Sequence, residues 1–124
     1  MINWDNYPNF SEKEFACSHT GECDMREEFL DALQTMRGIY DKPMAITSGY
    51  RHPTHPIEAK KASPGAHTTG CAADIACSGA EAYELLQIAF ELGFTGIGVS
   101  QKGSARSIHL DMLESPPRPN VWSY

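Results

Sequence analysis

The apolar residues of this chain follow helical spacing in two long stretches. The first stretch runs from about Met25 to Tyr40 and carries apolar side chains at Met25, Phe29, Leu30, Leu33, Met36 and Ile39. These positions follow the i, i+3, i+4, i+7 spacing of one helical face. Asp24 is the expected N-cap, and Pro43 prevents the helix from continuing. The pattern predicts a helix that packs on a hydrophobic core.

The second helical stretch runs from Ala80 to Leu92. Its apolar side chains form a broad stripe at Ala82, Leu85, Leu86, Ala89, Phe90 and Leu92. Gly93 suits the position just after a helix, because glycine adopts the left-handed conformation easily. A shorter helix is predicted near the N-terminus, where Ser11 and Glu14 have the spacing of a capping box.

Four short apolar segments predict strands, at residues 43–48, 71–77, 96–100 and 107–112. In the second segment Asp74 and its even-numbered neighbours face one side of the sheet. The third contains Gly96 and Gly98, which permit close approach of a neighbouring segment. The turn at 101–106 is short enough for the last two strands to form a hairpin.

The other segments are expected to be turns and loops. Residues 49–53 form a turn, residues 54–64 form an irregular loop with at most a turn or two of helix, and the chain from Pro116 is an extended tail. The predicted order is helix, helix, strand, strand, helix, strand, strand. This order predicts an α+β fold, with a small, mostly antiparallel sheet and helices packed on it. Without an internal repeat or linker, residues 1–124 are expected to form a single domain.

Composition and charge exclude two classes of protein. The formal net charge is −6, and no run of basic residues is longer than Lys60-Lys61, which argues against a nucleic-acid-binding protein. No window approaches the roughly 20 apolar residues of a membrane span. The first residues lack the basic and apolar regions of a signal peptide, so we expect synthesis in the cytoplasm. We also expect a monomer.

The cysteines, Cys17, Cys23, Cys71 and Cys77, leave several possibilities open. Cys17 and Cys23 could close a small loop, bind a metal together with His19, or stay reduced. Without a signal peptide, reduced thiols are favoured. Cys71 and Cys77 lie too far apart along one strand to form a disulfide.

A histidine and an aspartate form the centre of the candidate chemistry. His67 precedes Asp74 by seven residues, with Gly70 between them to let the chain bend from loop to strand. His109 lies on another strand and shares a face with Asp111. Histidine and aspartate both bind zinc, and a catalytic zinc takes three protein ligands and one water. If the two strands are neighbours, His67, Asp74 and His109 can converge on one ion.

Three motifs together resemble those of a known enzyme family. They are Ser48-Gly49-Tyr50-Arg51, His67-x-x-Gly70-x-x-x-Asp74 and Ile108-His109-Leu110-Asp111. The chain is similar to the zinc D-alanyl-D-alanine carboxypeptidase group, which includes phage endolysins and shares its zinc scaffold with the hedgehog signalling domain. The resemblance runs in order from about Phe10 to His109 and is expected to continue to the Trp122-Ser123-Tyr124 end.

The resemblance implies a hedgehog-like scaffold that binds Zn²⁺, with ligands at His67, Asp74 and His109. Arg51 matches an arginine that binds the substrate or the transition state. Ser48 and Tyr50 belong to the same motif and are expected to contribute to substrate binding. The guanidinium of Arg51 suits the binding of a substrate or transition state, because a guanidinium binds a carboxylate or a developing oxyanion.

The chain departs from the family pattern at two positions. Gly65 stands two residues before His67, where a serine is usual. More importantly, Arg106 stands three residues before His109, where many members carry an acidic general base, and an arginine stays protonated at neutral pH. We expect Asp111 either to be the base or to orient a ligand histidine. Glu58 is the other candidate base.

These features predict a zinc peptidase that hydrolyses a peptide bond in bacterial peptidoglycan. The enzyme would remove a terminal D-alanine or cut a stem peptide internally, as a phage endolysin does. If a phage encodes it, synthesis is expected in the host cytoplasm and action on the cell wall. The alternative is a non-catalytic, zinc-stabilised binding or virion-structural domain, which Arg106 favours.

Overall fold

The computed structural model describes residues 1–124 as four helices and five strands. The helices are α1 (Glu12–Phe15), α2 (Glu27–Tyr40), α3 (Pro56–Ala59) and α4 (Gly79–Leu92). The strands are β1 (Ala45–Ser48), β2 (Ala72–Ala76), β3 (Gly96–Ser100), β4 (Ser107–Asp111) and β5 (Asn120–Ser123). The predicted α+β class, both long helices and all four predicted strands are confirmed.

The five strands form one sheet in the order β1-β2-β4-β3-β5. All neighbours are antiparallel except β3 and β5, which run parallel. The predicted β3–β4 hairpin is present. In the central pair Asp74 lies opposite His109, and on the other side of β4 Gly98 lies opposite His109. The register therefore brings the predicted site residues to one face in the middle of the sheet.

The opposite face of the sheet packs into the hydrophobic core with α2 and α4. The fully buried sheet residues of this core are Ala73, Ile75, Ile97, Ile108 and Leu110. Two residues counted in the apolar stripes are exposed instead: Ile39 at 55% and Phe90 at 60%. Tyr40 and Ile88, which the predicted stripes did not include, are buried instead.

Helix α2 begins later than expected, at Glu27, and its N-cap is Arg26 instead of Asp24. The preceding segment is extended because it is tied to the turn after His67: Arg26 N–H donates to the Gly70 carbonyl at 3.0 Å. Gly70 has φ 77°, and a Cβ there would lie 2.1 Å from the Asp24 carbonyl oxygen. The predicted capping box of α1 is confirmed, with Ser11 N–H donating to Glu14 Oε1 at 2.8 Å.

The C-terminal tail is not a free extension, because residues Asn120–Ser123 form β5 at the edge of the sheet. Sequence analysis missed this strand, which is only four residues long and has no buried residue. Such a strand carries no alternation of apolar and polar positions. The chain also has no helix with the length and apolar character needed to cross a membrane.

Two glycines of β3 make room for side chains on the site face of the sheet. A Cβ on Gly96 would lie 2.1 Å from Asp111 Oδ1, and a Cβ on Gly98 would lie 2.7 Å from Trp122 Nε1. The close approach expected at these glycines is therefore made by side chains.

We predict that Gly96→Ala lowers the free energy of unfolding by about 1–3 kcal/mol, the usual cost of overpacking a tight site. Urea denaturation measures the change. Gly38→Ala is the matched control: Gly38 lies within α2 and a Cβ there meets nothing within 4 Å. This control should gain about 0.5–1 kcal/mol. Wild-type stability of Gly96→Ala would contradict the assigned packing.

Candidate metal centre

Three side chains converge on the site face of the sheet: His67, Asp74 and His109. Their ligand atoms all lie within 4.8 Å of one another. Asp74 Oδ1 is 3.3 Å from His67 Nε2 and 3.0 Å from His109 Nδ1. The structure thus brings together the three residues that the sequence predicted as ligands.

Each residue is positioned by a different element. His67 lies on the 3-10 turn Ala66–Thr69, which leads into β2. Asp74 is in the middle of β2, and His109 is directly opposite on β4. Both histidines are 5% exposed, so each imidazole is fixed by its surroundings.

Hydrogen bonds to the outer nitrogens set the histidine tautomers. His67 Nδ1 is 2.8 Å from the Gly49 carbonyl oxygen, which only accepts, so Nδ1 carries the proton. His109 Nε2 is 2.8 Å from Asp111 Oδ2 and donates to that carboxylate. In a neutral imidazole the remaining nitrogen, His67 Nε2 or His109 Nδ1, therefore carries the lone pair and faces Asp74. When the imidazole is protonated, the same nitrogen donates to the Asp74 carboxylate instead.

This donor set fits zinc. Two imidazole lone pairs and a carboxylate oxygen face each other at short range, and a cation among them satisfies all three. The hydrogen bonds behind the two histidines match the outer partners that usually orient metal-binding imidazoles. The site can hold a metal through three ligands.

The local electrostatics also favour positive charge at this point. Burial by itself raises the pKa of the Asp74 carboxyl, but hydrogen bonds and charge from His109 and His67 hold that pKa well below its usual range. Burial by itself lowers the pKa of His109. The hydrogen bonds of its protonated form to Asp111 and Asp74 have the larger effect, so the pKa of His109 is raised.

Asp111 is fully buried behind His109, and both of its oxygens are occupied. Arg118 donates through Nε to Oδ1 at 3.0 Å and through Nη2 to Oδ2 at 2.7 Å. Leu113 N–H also donates to Oδ1, at 3.3 Å. Burial raises the pKa of the Asp111 carboxyl, but the hydrogen bonds from His109 and Arg118 lower it to about 2. The carboxylate faces His109 and Arg118 and does not line the pocket described below.

Glu58 is also buried and also paired, contrary to the expectation of a free base. Its side chain is 0% exposed and accepts from Arg51 Nη1 at 3.1 Å and from Lys61 Nζ at 3.0 Å. Gly65 N–H donates to it at 2.8 Å. Burial raises its pKa, but these donors outweigh burial and lower it. Glu58 therefore anchors Arg51, whose own N–H donates to the His67 carbonyl at 3.1 Å.

The converging ligands open into a cavity of about 520 Å³. Its lining comprises Arg51, Ile57, Lys61, Ala66, His67, Asp74, Ser100, Ser107, His109, Arg118, Trp122 and Tyr124. Of the predicted substrate-binding residues only Arg51 is included. Tyr50 is buried in the core, and Ser48 lies on β1 beside Asp74, so neither contributes to the lining.

The cavity also contains residues that sequence analysis did not identify. Arg118, Trp122 and Tyr124 come from the C-terminal tail. The family resemblance was expected to reach the Trp122-Ser123-Tyr124 end but implied no role there, and for Arg118 the only signal was its charge within a proline-rich segment. Arg106, at the usual position of the base, is exposed and donates to the Gly103 carbonyl at 2.9 Å. It does not line the cavity.

The cysteines form no second metal centre. All four thiols are free, and His67, Asp74 and His109 are the one group of three or more potential ligands that converges. Cys17 is buried, and its Sγ accepts from His52 N–H at 3.3 Å.

The fold and the converging His-Asp-His group fit a zinc metallopeptidase. A family model described as Peptidase M15 matches residues 8–111, and the chain belongs to that family. No curated protein matches the chain. The family consists of zinc enzymes. Membership in the family supports, in general terms, the function of a zinc peptidase that acts on peptidoglycan. The match ends at Asp111, so the C-terminal residues of the cavity lie outside it.

We predict that the protein binds one zinc ion and that Asp74→Ala and His109→Ala each abolish tight binding. Competition with a chelating dye measures the affinity. His19→Ala is the control, because His19 is exposed and belongs to no converging group. Loss of zinc from His19→Ala, with retention in Asp74→Ala, would place the metal elsewhere.

Proposed function

We propose that the protein hydrolyses a peptide bond in bacterial peptidoglycan with zinc held by His67, Asp74 and His109. The observation that carries the proposal is the convergence of these ligand atoms within 4.8 Å on a cavity that also contains Arg51. A cavity of about 520 Å³ is within the range of small-ligand sites, so it suits a short peptide segment.

Bound zinc polarises a carbonyl and lowers the pKa of bound water to about 7, which yields a nucleophile at neutral pH. The chain itself supplies orientation and charge. Arg51 is held by the buried Glu58 carboxylate and by its own backbone bond to the His67 carbonyl. Its guanidinium is therefore fixed beside the ligands, where it can bind a substrate carboxylate or stabilise a developing oxyanion.

Asp111 is proposed to position His109, and its surroundings argue against a role as general base. The carboxylate is fully buried, accepts four hydrogen bonds and has a pKa of about 2. A base must reach the proton that it removes, and the pKa of an efficient base lies near the working pH. Its hydrogen bond to His109 Nε2 keeps the Nδ1 lone pair available for the metal.

The bond cut is proposed to be either the terminal D-alanine bond or an internal bond of the stem peptide. Cutting an internal bond is the activity of an endolysin. We propose that this protein is such an endolysin, encoded by a phage, made in the host cytoplasm and acting on the cell wall. We further propose that the protein acts as a monomer.

A second candidate function is zinc-dependent binding of the wall, or a virion-structural role, without turnover. The observation that favours it is that Asp74 is the only carboxylate lining the cavity. Asp111, Glu58 and Arg106 do not supply a free base there, so turnover must be measured directly.

We predict that the zinc-loaded protein lowers the turbidity of purified peptidoglycan and releases peptides, and that a chelator abolishes both. Arg51→Gln should reduce kcat/KM by about 10²–10³-fold, the range for loss of one preorganised donor. Arg37→Gln, on α2 and outside the cavity, is the control. Mass spectrometry of the products identifies the bond. Zinc binding without peptide release would favour the second candidate, and failure to bind zinc would exclude both.

Asp111→Asn separates positioning from base catalysis. If Asp111 positions His109, zinc affinity falls by about 10–100-fold, and saturating zinc restores most of the activity. If Asp111 is the base, zinc affinity changes little and activity falls by about 10²–10⁴-fold even at saturating zinc. Circular dichroism at each zinc concentration confirms that the variant is folded.

A further inference from the structure

The charged residues that line the cavity are mainly cations, although the chain as a whole is acidic. The chain has a net charge of −6 and only ten Lys and Arg residues. Three of these cations, Arg51, Lys61 and Arg118, line the cavity, whereas the only acidic lining residue is Asp74. The carboxylates that pair with these cations, Glu58 and Asp111, are buried behind them. The cations therefore stand between these buried carboxylates and the cavity, where their remaining N–H donors can bind an anionic group.

The cations come from segments next to the two opposite edges of the sheet. Arg51 and Lys61 belong to the segment that follows β1, which is one edge strand. Arg118 precedes β5, the other edge strand. The metal ligands Asp74 and His109 are on β2 and β4, which lie between these two edge strands. Arg51 N–H donates to the carbonyl of His67, whereas Arg118 pairs with Asp111 at the outer nitrogen of His109. The two arginines are therefore tied to different ligand histidines, and we expect a peptide bound over the ligands to have an arginine toward each end.

Arg118 is fixed in place by two contacts. Its Nε and Nη2 donate to the two oxygens of Asp111, at 3.0 Å and 2.7 Å. Its guanidinium carbon also lies 4.8 Å from the centre of the Trp122 ring. The indole of Trp122 in turn rests on Gly98 and lies 5.3 Å from the His109 ring, centre to centre.

These contacts leave part of the guanidinium free. An arginine has five N–H donors, and Asp111 takes one from Nε and one from Nη2. Nη1 has no hydrogen-bond partner in the structure, and the side chain is 14% exposed in the cavity. A fixed donor group with a free edge costs little to order when a ligand binds, because its side chain is already immobile.

We propose that Arg118 is a specificity-determining residue that binds a second carboxylate of the peptide substrate, toward the opposite end of the cavity from Arg51. This inference rests on the peptidase function proposed above. It assigns the substrate class as peptides that carry a free carboxylate on each side of the metal centre. It also places one specificity determinant in the C-terminal segment, beyond residues 8–111 of the family match.

A purely structural role for Arg118, as the partner of Asp111, would weaken activity on every substrate alike. The test therefore uses matched peptides. They are stem peptides with a γ-linked D-glutamate and a C-terminal D-alanine, made with each of the two α-carboxylates free or converted to the amide. Steady-state kinetics on the zinc-loaded protein gives kcat/KM and KM for all four peptides.

For wild-type protein we expect kcat/KM to fall about tenfold or more when either carboxylate is amidated, since each loses a charge-assisted hydrogen bond. Arg118→Gln should raise KM for the peptides in which the carboxylate bound by Arg118 is free. It should leave KM nearly unchanged for the peptides in which that carboxylate has been converted to the amide. Arg51→Gln should show this dependence on the other carboxylate. Arg37→Gln, outside the cavity, should keep the wild-type pattern.

An equal loss on all four peptides would overturn the proposal and leave Arg118 with the structural role alone. If Arg118→Gln does not fold, Arg118→Lys keeps a cation beside Asp111 and is compared in the same way. If the wild-type protein cleaves none of the peptides, the peptidase proposal has failed. Isothermal titration of the four peptides then tests the inference by itself: equal affinity for carboxylate and amide overturns it.

Discussion

Asp74 and His109 meet because β2 and β4 pair antiparallel in a single register. The pairing places the two residues directly opposite each other, with a carboxylate oxygen 3.0 Å from an imidazole nitrogen. A shift of one residue would turn His109 and Asp111 into the core and bring Ile108 and Leu110 onto the site face. Burial of those apolar residues against α2 and α4 therefore fixes the register on which the metal centre depends.

The two faces of the sheet have different roles. One face buries aliphatic side chains, and the other holds polar groups that need space. Gly96 and Gly98 provide that space, because neither has a Cβ to collide with Asp111 or Trp122. A full-sized side chain at either position would displace the groups that surround His109.

Buried carboxylates organise the cations of the cavity. Glu58 holds Arg51 and Lys61, and Asp111 holds Arg118, so each buried negative charge has a paired positive charge at the cavity surface. Such burial is costly unless the charge is paired and hydrogen-bonded, and both carboxylates meet this condition. The result is a set of donors that are already oriented before a ligand binds. The same pairing removes both carboxylates as free bases.

The sequence by itself determined the helices, four of the strands, the fold class and the three residues that converge at the candidate metal centre, since each follows from local spacing or motif. It could not decide the roles of Asp111 and Glu58, because a carboxylate is a base or an anchor according to which cations fold against it. It also gave no reason to place Arg118 at the site, and for Trp122 it offered only a resemblance that was expected to reach the Trp122-Ser123-Tyr124 end. Their position depends on β5 pairing with β3, a long-range contact that an exposed four-residue strand does not encode in its own pattern. Only the tertiary structure brings that segment back to His109.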